Sequence, residues 1–295
     1  MLLDRLIKQG VVHPPKWLAS NLAYMTIMGS QAYGVSVDES DLDIYGFCIP
    51  PKEMIFPHLA GIIPGFGDQG TKFENWQEHH VKDPNKTVEY DFSIHSIVKY
   101  FDLCMAGNPN MTDSLWTPQN CVIHSTQVSE IVRSNRQLFL SKQMFSKYKG
   151  YSYAQRAKIA TNVNSSNAKR ADDIEKYGYS TKFAYHLIRL MNEIEQILVE
   201  HELDLQKNNE QLKSIRRGEW TLERIDEYFQ SKEKILEETY SKSTLRQVPD
   251  EAAIKEVLMQ CLEHHYGDIS TAVSRNPEID VVLRDIQTVL DRYSS

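Results

Sequence analysis

Apolar residues recur at helical spacing in the opening segment, where Leu2, Leu3, Leu6 and Ile7 share one face before His13-Pro14-Pro15 closes it, so a short helix is expected there. Residues 22–28 form an apolar run of strand length halted by Gly29-Ser30, and residues 41–49 form a second strand ending at Pro50-Pro51. Between residues 61 and 85 the chain carries glycines, prolines, charges and His79-His80 without a sustained period, which reads as a loop-rich excursion. A β-like pattern returns over residues 87–94. Residues 96–105 then look helical until Gly107-Asn108-Pro109-Asn110 stops them. From about Leu138 onward helical periods dominate, most clearly over residues 154–164, 181–203, 222–241 and 251–266.

Strands first and helices afterwards predict an α+β protein. A length of 295 residues with 41% apolar residues suits two domains, drawn here as residues 1–140 and 141–295. No stretch approaches the roughly 18 to 20 apolar residues that a membrane-spanning helix needs, and the opening MLLDRLIKQG has an early acid and no apolar core of a leader, so a cytoplasmic protein without a membrane partner is expected. Cys48, Cys104, Cys121 and Cys261 are scattered without zinc-site spacing and read as reduced, structural residues. The net charge of -7 argues against wholesale attraction to nucleic acid. Residues 142–182, however, are rich in Lys, Arg and Tyr, and that region favours an anionic ligand.

The chemistry concentrates in Gly29-Ser30-Gln31-Ala32-Tyr33-Gly34, followed by Ser40-Asp41-Leu42-Asp43-Ile44. On a strand, Asp41 and Asp43 project to one face while Leu42 turns to the other. Two carboxylates aimed at one place repel each other unless cations neutralise them, and hard oxygen donors suit magnesium held jointly with substrate phosphates. Gly29 lets the backbone approach a phosphate, Ser30 adds a hydroxyl, and a helix starting at Gln31 would point free N–H groups at the anion. A third carboxylate on a neighbouring strand completes phosphoryl-transfer chemistry, and Asp91 in Val88-Glu89-Tyr90-Asp91-Phe92 is the candidate. Glu89 shares its face and stays open as the alternative.

Gly-Ser, ten intervening residues, Asp-x-Asp and a later strand acid together resemble the DNA polymerase beta superfamily of nucleotidyltransferases. Ala32-Tyr33-Gly34, the Gly107-to-Asn110 loop with Leu115-Trp116, Lys182-x-x-x-His186-x-x-Arg189-Leu190 and Ile215-Arg216-Arg217-Gly218-Glu219 extend the likeness to a subgroup linked to RNA repair, over roughly residues 20 to 225. The resemblance implies transfer of a nucleoside monophosphate from a nucleoside triphosphate, with magnesium or manganese and release of pyrophosphate. It also implies an N-terminal catalytic domain with a small mixed sheet, followed by a helical domain, with the site in the cleft between them. Asp113 stands where relatives often carry Glu, and Tyr33 follows Gly-Ser-x-Ala where small relatives often carry Arg.

Lys182, His186 and Arg189 fall at i, i+4 and i+7, one helical face able to grip the triphosphate or an RNA backbone, although the same pattern describes a solvated face. Arg216-Arg217 fits a helix end as readily as a phosphate contact. His79-His80 lacks spaced partners and reads as loop. Trp76, Trp116 and Trp220 read as packing residues, and Tyr148, Tyr151 and Tyr153 among Lys147, Lys149, Arg156 and Lys158 could stack bases or simply cover a domain junction. The expected reaction is metal-dependent nucleotidyl transfer to an acceptor hydroxyl, an RNA end first. Asp41, Asp43 and Asp91 would hold metal, with Gly29, Ser30, Lys182, His186 and Arg189 on the nucleotide. Modification of a protein or small molecule, and a noncatalytic nucleotide sensor, are the competing readings.

Overall fold

The computed structural model describes residues 1–36, 41–63, 65–67, 69, 72–85, 88–161 and 168–267. Five strands form one mixed sheet: β1 (Leu22–Ile27), β2 (Leu42–Cys48), β3 (Asn75–Lys82), β4 (Glu89–Ser96) and β5 (Val122–Ser125), in the order β3-β4-β2-β1-β5. β2 and β4 run parallel, and the other neighbours are antiparallel.

Strand alternation divides the sheet into two faces. Met25 of β1, Ile44 of β2 and Phe92 and Ile94 of β4 pack on Leu3 and Leu6 of helix α1 (Leu2–Lys8), forming a rear core. Leu42 joins this rear side, as the sequence predicts. The opposite parity sends Tyr24 and Phe47 into the main core with Tyr100. Asp43 lies on that same front parity, four residues before Phe47.

After β1 comes a one-turn helix, α2 (Gly29–Ala32), and after β2 another, α3 (Lys52–Ile55). Helix α4 (Ile97–Met105) starts at Ser96, whose hydroxyl accepts from the Lys99 amide, and α5 (Pro109–Leu115) starts at Asn108, whose side chain accepts from the amides of Asn110 and Met111. Pro109 therefore opens a helix instead of merely ending one: proline suits the first helical position, where its missing N–H is not needed. The remaining helices among the described residues are α6 (Gln127–Ser134), α7 (Met144–Thr161), α8 (Ala168–Tyr177), α9 (Thr181–Glu200), α10 (Asn209–Arg216), α11 (Leu222–Lys242) and α12 (Glu251–Tyr266). Helix α9 is buried along most of its length, packed by α7, α10 and α11.

One apolar cluster runs from Tyr24 and Phe47 through Tyr100 and Phe139 to Ile188, Phe229 and Ile254, so the sheet and the helices after residue 140 share a core. Helix α12 packs back on α4 and α6, and its Tyr266 hydroxyl donates to the Pro50 carbonyl. Trp76, Trp116 and Trp220 are buried, as are all four cysteines, each a free thiol. Among the described residues no helix is long and apolar enough to cross a membrane.

The excursion before Asp91 departs from the expectation of loop. Its second half is strand β3, with His79 and His80 inside it. The period-two signal is broken there because β3 carries an extra residue, so Trp76 and Val81 both face inward at odd spacing.

Candidate active site

The parallel pairing of β2 with β4 sets Asp43 directly beside Asp91. Paired residues of neighbouring strands point to the same face, so both carboxylates rise from the front of the sheet. Glu89, two residues earlier, turns instead to the β3 edge, with its oxygens 3.5 Å from Lys82 Nζ and 3.7 Å from His80 Nδ1. Register thus selects Asp91 as the neighbour of Asp43.

Gly29 approaches the same place from β1. Its φ of +65° lies in the left-handed region, and a Cβ built on it would sit 2.2 Å from Asp43 Oδ2. Only glycine meets both demands, the turn and the contact. The adjoining Met28 amide donates to the Asp43 carbonyl at 2.7 Å, extending the ladder up to the turn. Helix α2 begins at Gly29, two residues before the position expected from sequence, and lasts a single turn. Ser30 is half-buried.

Burial raises the Asp43 carboxyl above its ordinary value; the Lys182 ammonium opposes the shift, Asp91 and Asp41 reinforce it, and His79 opposes it. Five side chains from four parts of the chain therefore sit within electrostatic reach of one another. Asp41, exposed just ahead of β2, belongs to this group, as does Lys182 on the first turn of α9.

One turn along α9, His186 is half-buried, and burial, with Arg189, Lys182, Arg216 and Lys158 around it, pushes its pKa well below the ordinary value. The imidazole is neutral and ringed by cations. Among the described residues no carboxylate forms an ion pair with Lys158, Lys182 or Arg216, whereas Lys149 and Arg156 on the other flank of α7 pair with acids of α11. Arg216 packs its guanidinium over the Tyr185 ring at 5.0 Å. Lys158, Lys182 and Arg216 are thus cations without a carboxylate partner among the described residues, gathered near the Asp43–Asp91 pair.

Arg189 lies elsewhere than its helical spacing suggested. It is buried, 2.5 Å from Asp113 Oδ2 and 2.8 Å from Glu193 Oε2, with its guanidinium 4.2 Å above the Tyr33 ring. The Tyr33 hydroxyl donates to Asp113 at 2.9 Å and the Tyr148 hydroxyl at 3.3 Å. Helix α9 dives from the surface at Lys182 into the core at Arg189, so one face of it serves two environments. The buried set ties the residue after α2 to α5, α7 and α9.

Sequence reasoning missed His79 and Tyr185 as neighbours of the site, whereas Lys158 lies in the basic, tyrosine-rich stretch already singled out from sequence. For His79 the available signal was the break in strand parity between Trp76 and Val81.

The chain matches the model of the RNA repair pathway DNA polymerase beta family over residues 3–285 and belongs to that family. It is similar to an uncharacterized 38.9 kDa protein of Enterobacteria phage T4, 31% identical over 138 residues that span 44% of this chain and 36% of that protein. It also aligns with the crystal structure of a nucleotidyltransferase-like protein from Exiguobacterium sibiricum 255-15, at 9% identity and a TM-score of 0.29, covering 80% of this chain and 73% of the other.

Proposed function

We propose that the enzyme transfers a nucleoside monophosphate from a nucleoside triphosphate to the hydroxyl of an RNA end, with a divalent cation at Asp41, Asp43 and Asp91. The observation that carries this reading is the register pairing Asp43 with Asp91 under the Gly29 turn, with Lys182 close by. Among the described residues no three acid, histidine or cysteine side chains converge closely enough to hold a metal ion as they stand; what supports magnesium or manganese is the chemistry of the donors, the hard oxygens of Asp43 and Asp91 aligned on one face with Asp41 just ahead of them. When bound, such a cation would supply Lewis-acid stabilisation of the charge that builds on the attacking hydroxyl oxygen and on the departing pyrophosphate.

The chain's own groups have separate tasks. The bare backbone at Gly29 and the Ser30 hydroxyl receive the outer phosphates, where a Cβ would obstruct them. Lys182, Lys158 and Arg216 neutralise the triphosphate from the helical side, and neutral His186 offers a ring nitrogen to it. Asp91 takes the proton of the attacking hydroxyl. Arg189 acts from the interior, keeping Tyr33 and α9 together. The RNA acceptor is favoured over protein or metabolite by membership in an RNA repair pathway family.

The test is a labelling experiment. The protein, magnesium and each α-labelled nucleoside triphosphate are incubated separately with RNA, protein and metabolite pools. Label in RNA that disappears with Asp43→Asn is the expected result, and label confined to another pool overturns the acceptor. Tight triphosphate binding without label anywhere would point to a sensor.

A further inference from the structure

Strand β3 is irregular where it passes Asp91. Glu78 pairs with Phe92 and Val81 with Tyr90, so His79 and His80 together oppose the single residue Asp91. His80 takes a φ of 56°, a left-handed conformation uncommon for a residue with a side chain. The consequence is specific: its amide leaves the ladder and donates to Asp91 Oδ1 at 2.7 Å. The His79 Nδ1 atom stands 3.6 Å from the same oxygen, while the His80 ring turns toward Glu89. In a regular antiparallel pair that amide would serve a backbone carbonyl or solvent. A bulge that re-aims a donor onto a side chain is a local conformation that persists because its surroundings hold it.

We propose that the His79–His80 bulge is a positioning device for Asp91. The His80 amide fixes one carboxylate oxygen before any ligand arrives, on the face that Asp91 shares with Asp43. This rests on the reading of Asp91 as the third metal-site carboxylate. His79 flanks the fixed oxygen, so the carboxylate is bounded on the side away from Asp43 and cannot rotate out to the β3 edge, where Glu89 and Lys82 pair.

Deleting His79 leaves one residue opposite Asp91 and restores regular pairing. His80→Val, a β-branched residue disfavoured at this φ, moves the amide without shortening the strand. Manganese binding is measured by calorimetry on the full chain with a non-hydrolysable ATP analogue present, alongside a thermal melt and an Asp91→Asn comparison. Removing a partner that orients a metal ligand weakens metal binding about 10- to 100-fold. That loss is expected in both bulge variants at near-unchanged melting temperature, and a purely structural bulge would leave affinity untouched in the folded protein. If the deletion does not fold, His80→Val carries the test alone. Wild-type affinity in the bulge variants together with weak binding by Asp91→Asn overturns the positioning role and leaves the site reading standing. Wild-type affinity in Asp91→Asn, or no manganese binding by the unaltered chain, overturns both.

Discussion

Replacing Gly29 by alanine separates two costs that meet at one atom. The backbone cost is that of a side chain at a φ of +65°, roughly 1–2 kcal/mol. The steric cost falls on Asp43, because the new methyl would lie 2.2 Å from Oδ2, and ordinary contact begins at 3.4 Å. The obstructing atom is the end of a side chain, so the carboxylate swings aside by about 1 Å and the sheet stays intact. A displacement of that size in a catalytic group costs on the order of 100-fold in rate. Expected, then, is a melting temperature lowered by only a few degrees and turnover lowered by about two orders of magnitude. Thermal denaturation and labelled-nucleotide transfer, run on the same preparation, read the two effects separately. Turnover within about threefold of the unaltered protein would refute the placement of Asp43 at the reacting centre.

Asp41→Ala combined with Asp43→Ala should abolish transfer while the protein remains folded, since like charges are removed and no packing is lost; a circular dichroism melt checks the fold. Lys182→Ala should raise the KM for the nucleoside triphosphate about tenfold with a smaller change in kcat, read by initial rates. Arg189→Met leaves Asp113 and Glu193 in the interior without their cation and should destabilise by about 3–5 kcal/mol, measured by urea unfolding. Burial raises the Glu193 carboxyl to about 8 against the opposing pull of Arg189, with Asp113 reinforcing it. Between its ordinary value of 4.5 and about 8 the folded chain keeps a proton that the unfolded chain releases, so this group's contribution to stability declines as pH rises through that window. Glu193→Gln should flatten that decline in melts taken across the same range.

The strands that carry the acids were legible because their signals are local: an apolar run ending in Gly29-Ser30, and Asp-x-Asp at the head of β2. Helix α12 was legible to the residue, for its period is uninterrupted from Glu251 to Tyr266. What escaped depends on contacts between distant segments. Glu89 and Asp91 have equal claims on any single strand, and only the register with β2 separates them. Strand β5 has four residues at a sheet edge, too few for alternation to declare itself. The stripe of Lys182, His186 and Arg189 was read correctly as one face of a helix. Periodicity fixes which residues share a face, but it does not say where along the axis that face leaves solvent, and Arg189 lies beyond that point. Asp113 is the clearest case: no local pattern marks a buried carboxylate whose partners come from the residue after α2, from α7 and from α9.

The juxtaposition of β2 with β4 has a consequence for how this fold can change. Parallel neighbours demand a long crossover, here everything between Cys48 and Glu89, yet the two acids are aligned by backbone bonds made directly between their strands. Insertions beside the exposed Gly61, Ile63 and Gly65 can therefore accumulate without altering the register of Asp43 with Asp91, so that part of the crossover can diversify while the two acids stay side by side.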